Sequence, residues 1–161
     1  MTEFVPLLML LADAGVEFIV VGGVAGALHG SARSTKDLDV VYRRTPDNIA
    51  RVVRAFEGRQ PYPRGAPPGL PFRWDERTLG FGSNFTLNTT AGAVDLLGEI
   101  AGGGAYEELL PYTMTVTLDG RRCLCLNLEK LIAVKRAAGR PKDYEAIAEL
   151  DIIREERERT Q

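Results

Sequence analysis

Three carboxylates in this chain of 161 residues occupy positions where ionised side chains are usually avoided. Asp37 and Asp39 alternate with Leu38 and Val40 in the run DLDVVY, so a strand over 37–42 puts both acids on one face. Two like charges side by side on a strand repel, which is tolerable in water or where a cation lies between them. Asp95 interrupts AVDLL, which otherwise reads as a buried strand, and a carboxylate there needs a partner. A salt bridge to an arginine is one solution. The other is a shared cation: three aspartates from two adjacent strands make a hard-oxygen site suited to Mg²⁺ or Mn²⁺, which bind a few carboxylates together with phosphate oxygens and water.

Two further features point toward phosphate chemistry. Gly22 and Gly23 follow the apolar run EFIVV and precede a short helical segment, an arrangement that turns free backbone N–H groups and the positive end of a helix toward an anion. The segment GGVAGALHG lacks the G-x-G-x-x-G spacing of a dinucleotide site, and no Gly-Lys-Ser/Thr of a P-loop occurs in the chain. Lys135 falls within the apolar stripe Leu128, Leu131, Ile132 and Ala138 of a late helix. An ammonium there must reach solvent, a carboxylate such as Asp143, or a ligand's phosphates.

The elements that must position these residues read as follows. A helix runs from a cap at Thr2 to about Ala14 and stops at Gly15, a strand covers 17–21, a short helix 24–29, a strand 37–42 and a helix 46–56 opened by Pro46. The stretch 58–71 holds five prolines and three glycines and reads as a long surface loop. Strands are expected at 85–87, 93–97, 113–118 and 121–126, the last two joined by Asp119-Gly120, and helices at 127–138 and 141–156. The expectation is one α+β domain over 1–161. His29 reads as a packing or capping residue, and Cys123 and Cys125 as core or strand-face residues.

Composition narrows the function classes. With 45% hydrophobic residues and a net charge of −2, disorder is excluded and stable DNA binding is not expected. Only two cysteines and no apolar run near the ~20 residues of a bilayer span argue against a disulfide-stapled secreted module and a membrane protein, and place the chain in the cytoplasm. The charge is nevertheless uneven. Basic residues outnumber acidic ones between Ser31 and Arg64, and the tail from Asp143 onward is rich in acids.

A strand ending in Gly-Gly, thirteen further residues, Asp-Leu-Asp on the next strand and a lone Asp in a later apolar strand together resemble the polymerase-beta-type nucleotidyltransferase superfamily. FIVVGGVAGALHGSARSTKDLDVVY is similar to the minimal nucleotidyltransferases related to AbiE-type toxins, and LEKLIAVKRAAGRPKDYEAI to their C-terminal helices. The resemblance implies a palm-like core, a small mixed sheet flanked by helices with two helices at the C-terminus. It implies Asp37, Asp39 and Asp95 as metal ligands, with Asp95 also helping to deprotonate the attacking hydroxyl. Gly22, Gly23, Arg33, Ser34, Thr35 and Lys135 are then nucleotide-binding, and Lys135 and Asp143 match late basic and acidic positions. The implied reaction moves a nucleoside monophosphate from an NTP to a hydroxyl of a protein or RNA acceptor, with a cognate toxin or antitoxin as partner. A catalytically silent binding or antitoxin module is the alternative. Two departures bear on the acceptor: the paired-lysine motif of the larger toxins is missing between the acidic strands, and the chain lacks room for their C-terminal helical domain.

Overall fold

The computed structural model describes residues 2–160, and its frame is a seven-stranded mixed sheet. The strands are β1 (Phe18–Val21), β2 (Leu38–Tyr42), β3 (Tyr62–Pro63), β4 (Phe85–Thr89), β5 (Gly92–Leu97), β8 (Thr113–Leu118) and β9 (Arg121–Leu126), in the order β3-β4-β5-β2-β1-β9-β8. Two short strands, β6 (Glu99–Ile100) and β7 (Gly104–Ala105), form a separate antiparallel pair. β1 is antiparallel to β2 and parallel to β9, while β2 runs parallel to β5. Every residue of β1 is buried, so this central strand is covered on both faces, as its unbroken FIVV run requires.

Helices α1 (Val5–Asp13), α3 (Pro46–Ala55) and α4 (Glu76–Phe81) form one packed group. Helices α2 (Gly22–Leu28), α6 (Leu128–Ala138) and α7 (Pro141–Arg159) form another, and the four-residue α5 (Tyr106–Leu109) packs near β1. Leu7, Leu8 and Leu11 of α1 enter the core with Ile19, Leu38, Tyr42, Phe56 and Leu96. Buried Asn48 ties α3 to the sheet with all its bonding groups used: its Nδ2 donates to Glu17 O and Arg43 O, and its Oδ1 accepts from Glu17 N. His29, the C-cap of α2, is a structural clasp: its Nε2 lies 2.8 Å from Leu126 O, and Arg157 donates to its Nδ1 and its carbonyl. That pattern makes it the neutral Nε2–H tautomer, consistent with burial, which pulls its pKa down.

Three expectations need correction. The chain enters α1 through a 3-10 turn at Thr2–Phe4, and the helix cap is Phe4 instead of Thr2. The 58–71 stretch is not loop throughout, because Tyr62 and Pro63 pair with Asn88 and Leu87 as β3. Proline is tolerated there because β3 is an edge strand, with one side free of ladder bonds. The glycines also do not form a turn ahead of a helix starting at Val24. Gly22 is itself the first residue of α2, with φ at 67°.

Candidate active site

The register of the sheet brings the three aspartates together. Asp39 pairs with Asp95 across the parallel β2–β5 ladder and with Val21, the last residue of β1, on its other side. Asp37 precedes β2 and points to the same face. One carboxylate oxygen from each of the three lies within 4.8 Å of the others. Asp39 Oδ1 is buried and accepts no hydrogen bond. Burial, then the charges of Asp95 and Asp37, push the Asp39 carboxyl up to about 7. A buried oxygen with no partner inside a ring of carboxylates is the environment a hard divalent cation satisfies, so the donor set fits Mg²⁺ or Mn²⁺.

Gly22 and Gly23 are required by close approach. A Cβ on Gly22 would lie 2.3 Å from Asp39 Oδ2, at a φ that side chains also resist, and a Cβ on Gly23 would lie 2.6 Å from Thr35 Oγ1. The start of α2 is thereby pressed against Asp39, and Thr35 in turn donates to Asp37 O at 3.3 Å. The segment carrying Arg33, Ser34 and Thr35 is fastened to α7: Ser31 Oγ and Ala32 N donate to Glu149, and Arg33 pairs with Glu145 at 3.3 Å.

These residues line a cleft of about 340 Å³ together with Asp37, Asp39, Asp95 and the cations Arg33, Lys36, Lys135, Arg140 and Lys142. Every site residue expected from sequence, namely Gly22, Gly23, Arg33, Ser34, Thr35, Asp37, Asp39, Asp95 and Lys135, is on its wall. The Lys135 ammonium has no hydrogen-bonded or ion-paired partner among the described residues, and burial draws its pKa down. Asp143 is not bonded to Lys135 and binds Arg140 instead, accepting from its backbone N–H and from its guanidinium at 2.7 Å. A second cavity of about 250 Å³ meets the first at Gly22, Asp39, Lys135, Arg140 and Asp143, and its remaining wall is mostly apolar, including Leu97, Ile100, Leu131 and Val134.

The structure adds a residue that sequence reasoning missed. Arg64 Nη2 donates to Asp95 Oδ1 at 2.7 Å and Nη1 faces Asp37 Oδ2 at 3.5 Å. The two readings open for Asp95 are therefore realised together: it joins the acidic cluster and it pairs with an arginine. The only signal for this contact is the excess of arginine between residues 31 and 64, which does not say which one reaches the sheet. The cysteines take no part. Both are buried and reduced, and burial pushes Cys125 up to about 12, far from the thiolate a metal would need.

No family model and no curated protein matches the sequence. Solved structures do match. The lincosamide antibiotic adenylyltransferase LnuA, in its lincomycin-bound form, superposes with a TM-score of 0.62 at 16% identity over 94% of this chain and 96% of its own. A candidate nucleotidyltransferase from Thermotoga maritima gives 0.58 at 17% identity over 92% of both chains. An antigenic nucleotidyltransferase-like protein from Paracoccidioides brasiliensis gives 0.53 at 17% identity, over 92% of this chain and 74% of that one. The mixed sheet, its flanking helices and the two C-terminal helices together make the fold of the nucleotidyltransferases.

Proposed function

We propose that the protein is a divalent-metal-dependent nucleotidyltransferase that moves a nucleoside monophosphate from an NTP to a hydroxyl. The observation that carries this reading is the buried, unpartnered Asp39 Oδ1 among three converging carboxylates on the wall of a cleft also lined by cations. Asp37, Asp39 and Asp95 would hold Mg²⁺ or Mn²⁺. When bound, such an ion offsets the charge of the triphosphate and orients its α-phosphate for in-line attack. Lys135, Lys142 and Arg33 face the phosphates along the cleft, with the start of α2 at Gly22 and Gly23 beside them. Asp95 takes the proton of the acceptor hydroxyl. The acceptor oxygen bonds to the α-phosphorus, the bond between α-phosphorus and bridging oxygen breaks, and pyrophosphate leaves.

The acceptor hydroxyl enters by the second, apolar cavity, which shares Asp39 with the first. Its size suits a small molecule, the acceptor class named for LnuA, or the exposed end of a protein or RNA chain. The similarity to AbiE-type minimal nucleotidyltransferases adds a cognate toxin or antitoxin as the partner, to be sought by co-purification. One observation favours a second reading, a catalytically silent binding module: Arg64 already supplies a positive charge to Asp95 and Asp37.

Calorimetry with NTPs in the presence and absence of Mg²⁺ separates the two readings. Mg²⁺-dependent NTP binding that Asp39→Ala abolishes is expected of the enzyme. Incubation of an α-labelled NTP with a cell extract, fractionated by size, would then identify the acceptor as small molecule, RNA or protein. A folded protein that binds no NTP with Mg²⁺ sinks the enzyme reading.

A further inference from the structure

Arg64 is built into the acidic site more firmly than a chance surface pair. Its backbone N–H donates to Thr86 O at 2.9 Å, directly after edge strand β3, so the chain delivers it beside β4 and β5. Its side chain then uses most of its donors: Nη2 to Asp95 Oδ1 at 2.7 Å and to Leu87 O at 2.9 Å, Nε to Asn88 Oδ1 at 3.2 Å, and Nη1 toward Asp37 Oδ2 at 3.5 Å. Asp39 alone of the three carboxylates receives nothing from it, and it is Asp39 whose Oδ1 is left without a partner.

Resting on the metal-site reading above, we propose that Arg64 is the resident cation of the metal-free site and a gate to the divalent ion, leaving Asp95 and Asp37 when the ion enters. Three carboxylates this close repel one another, and the guanidinium fork offsets that repulsion by contacting two of them. The same fork opposes a divalent ion between those carboxylates, because the guanidinium already holds Asp95 Oδ1, faces Asp37 Oδ2 and would repel the ion. Release is open to it: the Arg64 side chain keeps 29% of its exposure, and it lies within the proline- and glycine-rich stretch, directly after edge strand β3, rather than inside the core. Arg64 is on this account a positioning residue that sets the metal affinity and holds Asp95 in place until the ion arrives.

Manganese binding to the purified protein without nucleotide, read from the electron paramagnetic resonance of free Mn²⁺, tests this. Arg64→Gln, which keeps much of the side chain and removes the charge, should bind Mn²⁺ about tenfold more tightly than wild type. Tighter binding shows that the Arg64 charge opposes the ion, and the displacement itself is read from the Arg64 resonance. Equal or weaker binding by a folded Arg64→Gln, with wild type binding normally, overturns the gate and leaves the metal site standing. No Mn²⁺ binding by either protein removes the metal site and the gate together. In wild type, independent of any variant's folding, the ¹⁵Nε–¹H resonance of Arg64 should be protected without metal and should shift and lose protection on saturation with Mg²⁺. A resonance unmoved by saturating Mg²⁺ also overturns the gate.

Discussion

At the scale of single residues, Asp39 is the position where the needs of folding and of metal binding conflict. Pressed under Gly22 and flanked by two other carboxylates, it has a folded pKa of about 7, whereas an unfolded aspartate titrates near ~4. Between those values the folded chain carries a proton that the unfolded chain has released, so Asp39 stabilises the metal-free protein most fully below about pH 4. That contribution is lost progressively as the pH rises through about 7. Urea unfolding of metal-free protein at pH 5 and pH 8 should show this loss in wild type and not in Asp39→Asn, whose amide does not titrate. A wild type and a variant with the same difference between the two pH values would show that Asp39 ionises normally. Mg²⁺ should act in the opposite sense, stabilising wild type more at pH 8 than at pH 5, because it competes with the proton for the same oxygens. Asp39 and Asp95 were legible in the sequence because a charge interrupting an apolar strand is visible without a structure. Their partner Arg64 was not, since its approach depends on an edge pairing 31 residues away from Asp95.

Among the elements, those with local instructions were the ones the sequence announced. The hairpin β8–β9 follows from Asp119 and Gly120, both of which adopt positive φ, as a tight two-residue turn demands. Helix α6 is bounded by Asn127, whose side chain accepts from Lys130 N, and by left-handed Gly139. Strand β3 escaped notice because two residues carry no periodicity and one of them is proline. Helix α4 escaped too, although Asp75 caps it by accepting from Thr78 N, a signal present in the sequence. Nor did the sequence show that α7 clasps the segment bearing Arg33, Ser34 and Thr35, since that contact joins residues more than a hundred positions apart. The clasp has a measurable consequence. Glu149→Ala removes the acceptor of Ser31 Oγ and Ala32 N on a partly exposed surface, so stability should fall by no more than about 1 kcal/mol. Triphosphate affinity should fall several-fold, because Arg33 and Thr35 lose their fixed place on the cleft wall. Calorimetric titration beside a urea melt separates the two effects, and unchanged triphosphate affinity in a folded variant would show that the clasp serves the fold alone.

For the molecule as a whole, a net charge of −2 conceals a division of labour. Cations and a cluster of aspartates line the cleft together, and the C-terminal helix beyond Asp143 carries much of the balancing negative charge. Such an arrangement attracts a polyanion locally without giving the whole protein the basic surface of a DNA binder. The two adjoining cavities differ in physical character: the first is lined mainly by charged and polar groups and screened by salt, while the wall the second does not share is mostly apolar and responds less to salt. Raising ionic strength from about 0.05 M to about 0.5 M at saturating Mg²⁺ should therefore weaken NTP binding about tenfold, while binding of the corresponding uncharged nucleoside stays nearly constant. Equilibrium dialysis at the two salt concentrations measures both ligands under the same conditions. If NTP and nucleoside bind equally at both, the phosphates contribute nothing, the cleft lysines lose their assigned role, and the apolar cavity becomes the site that holds the ligand.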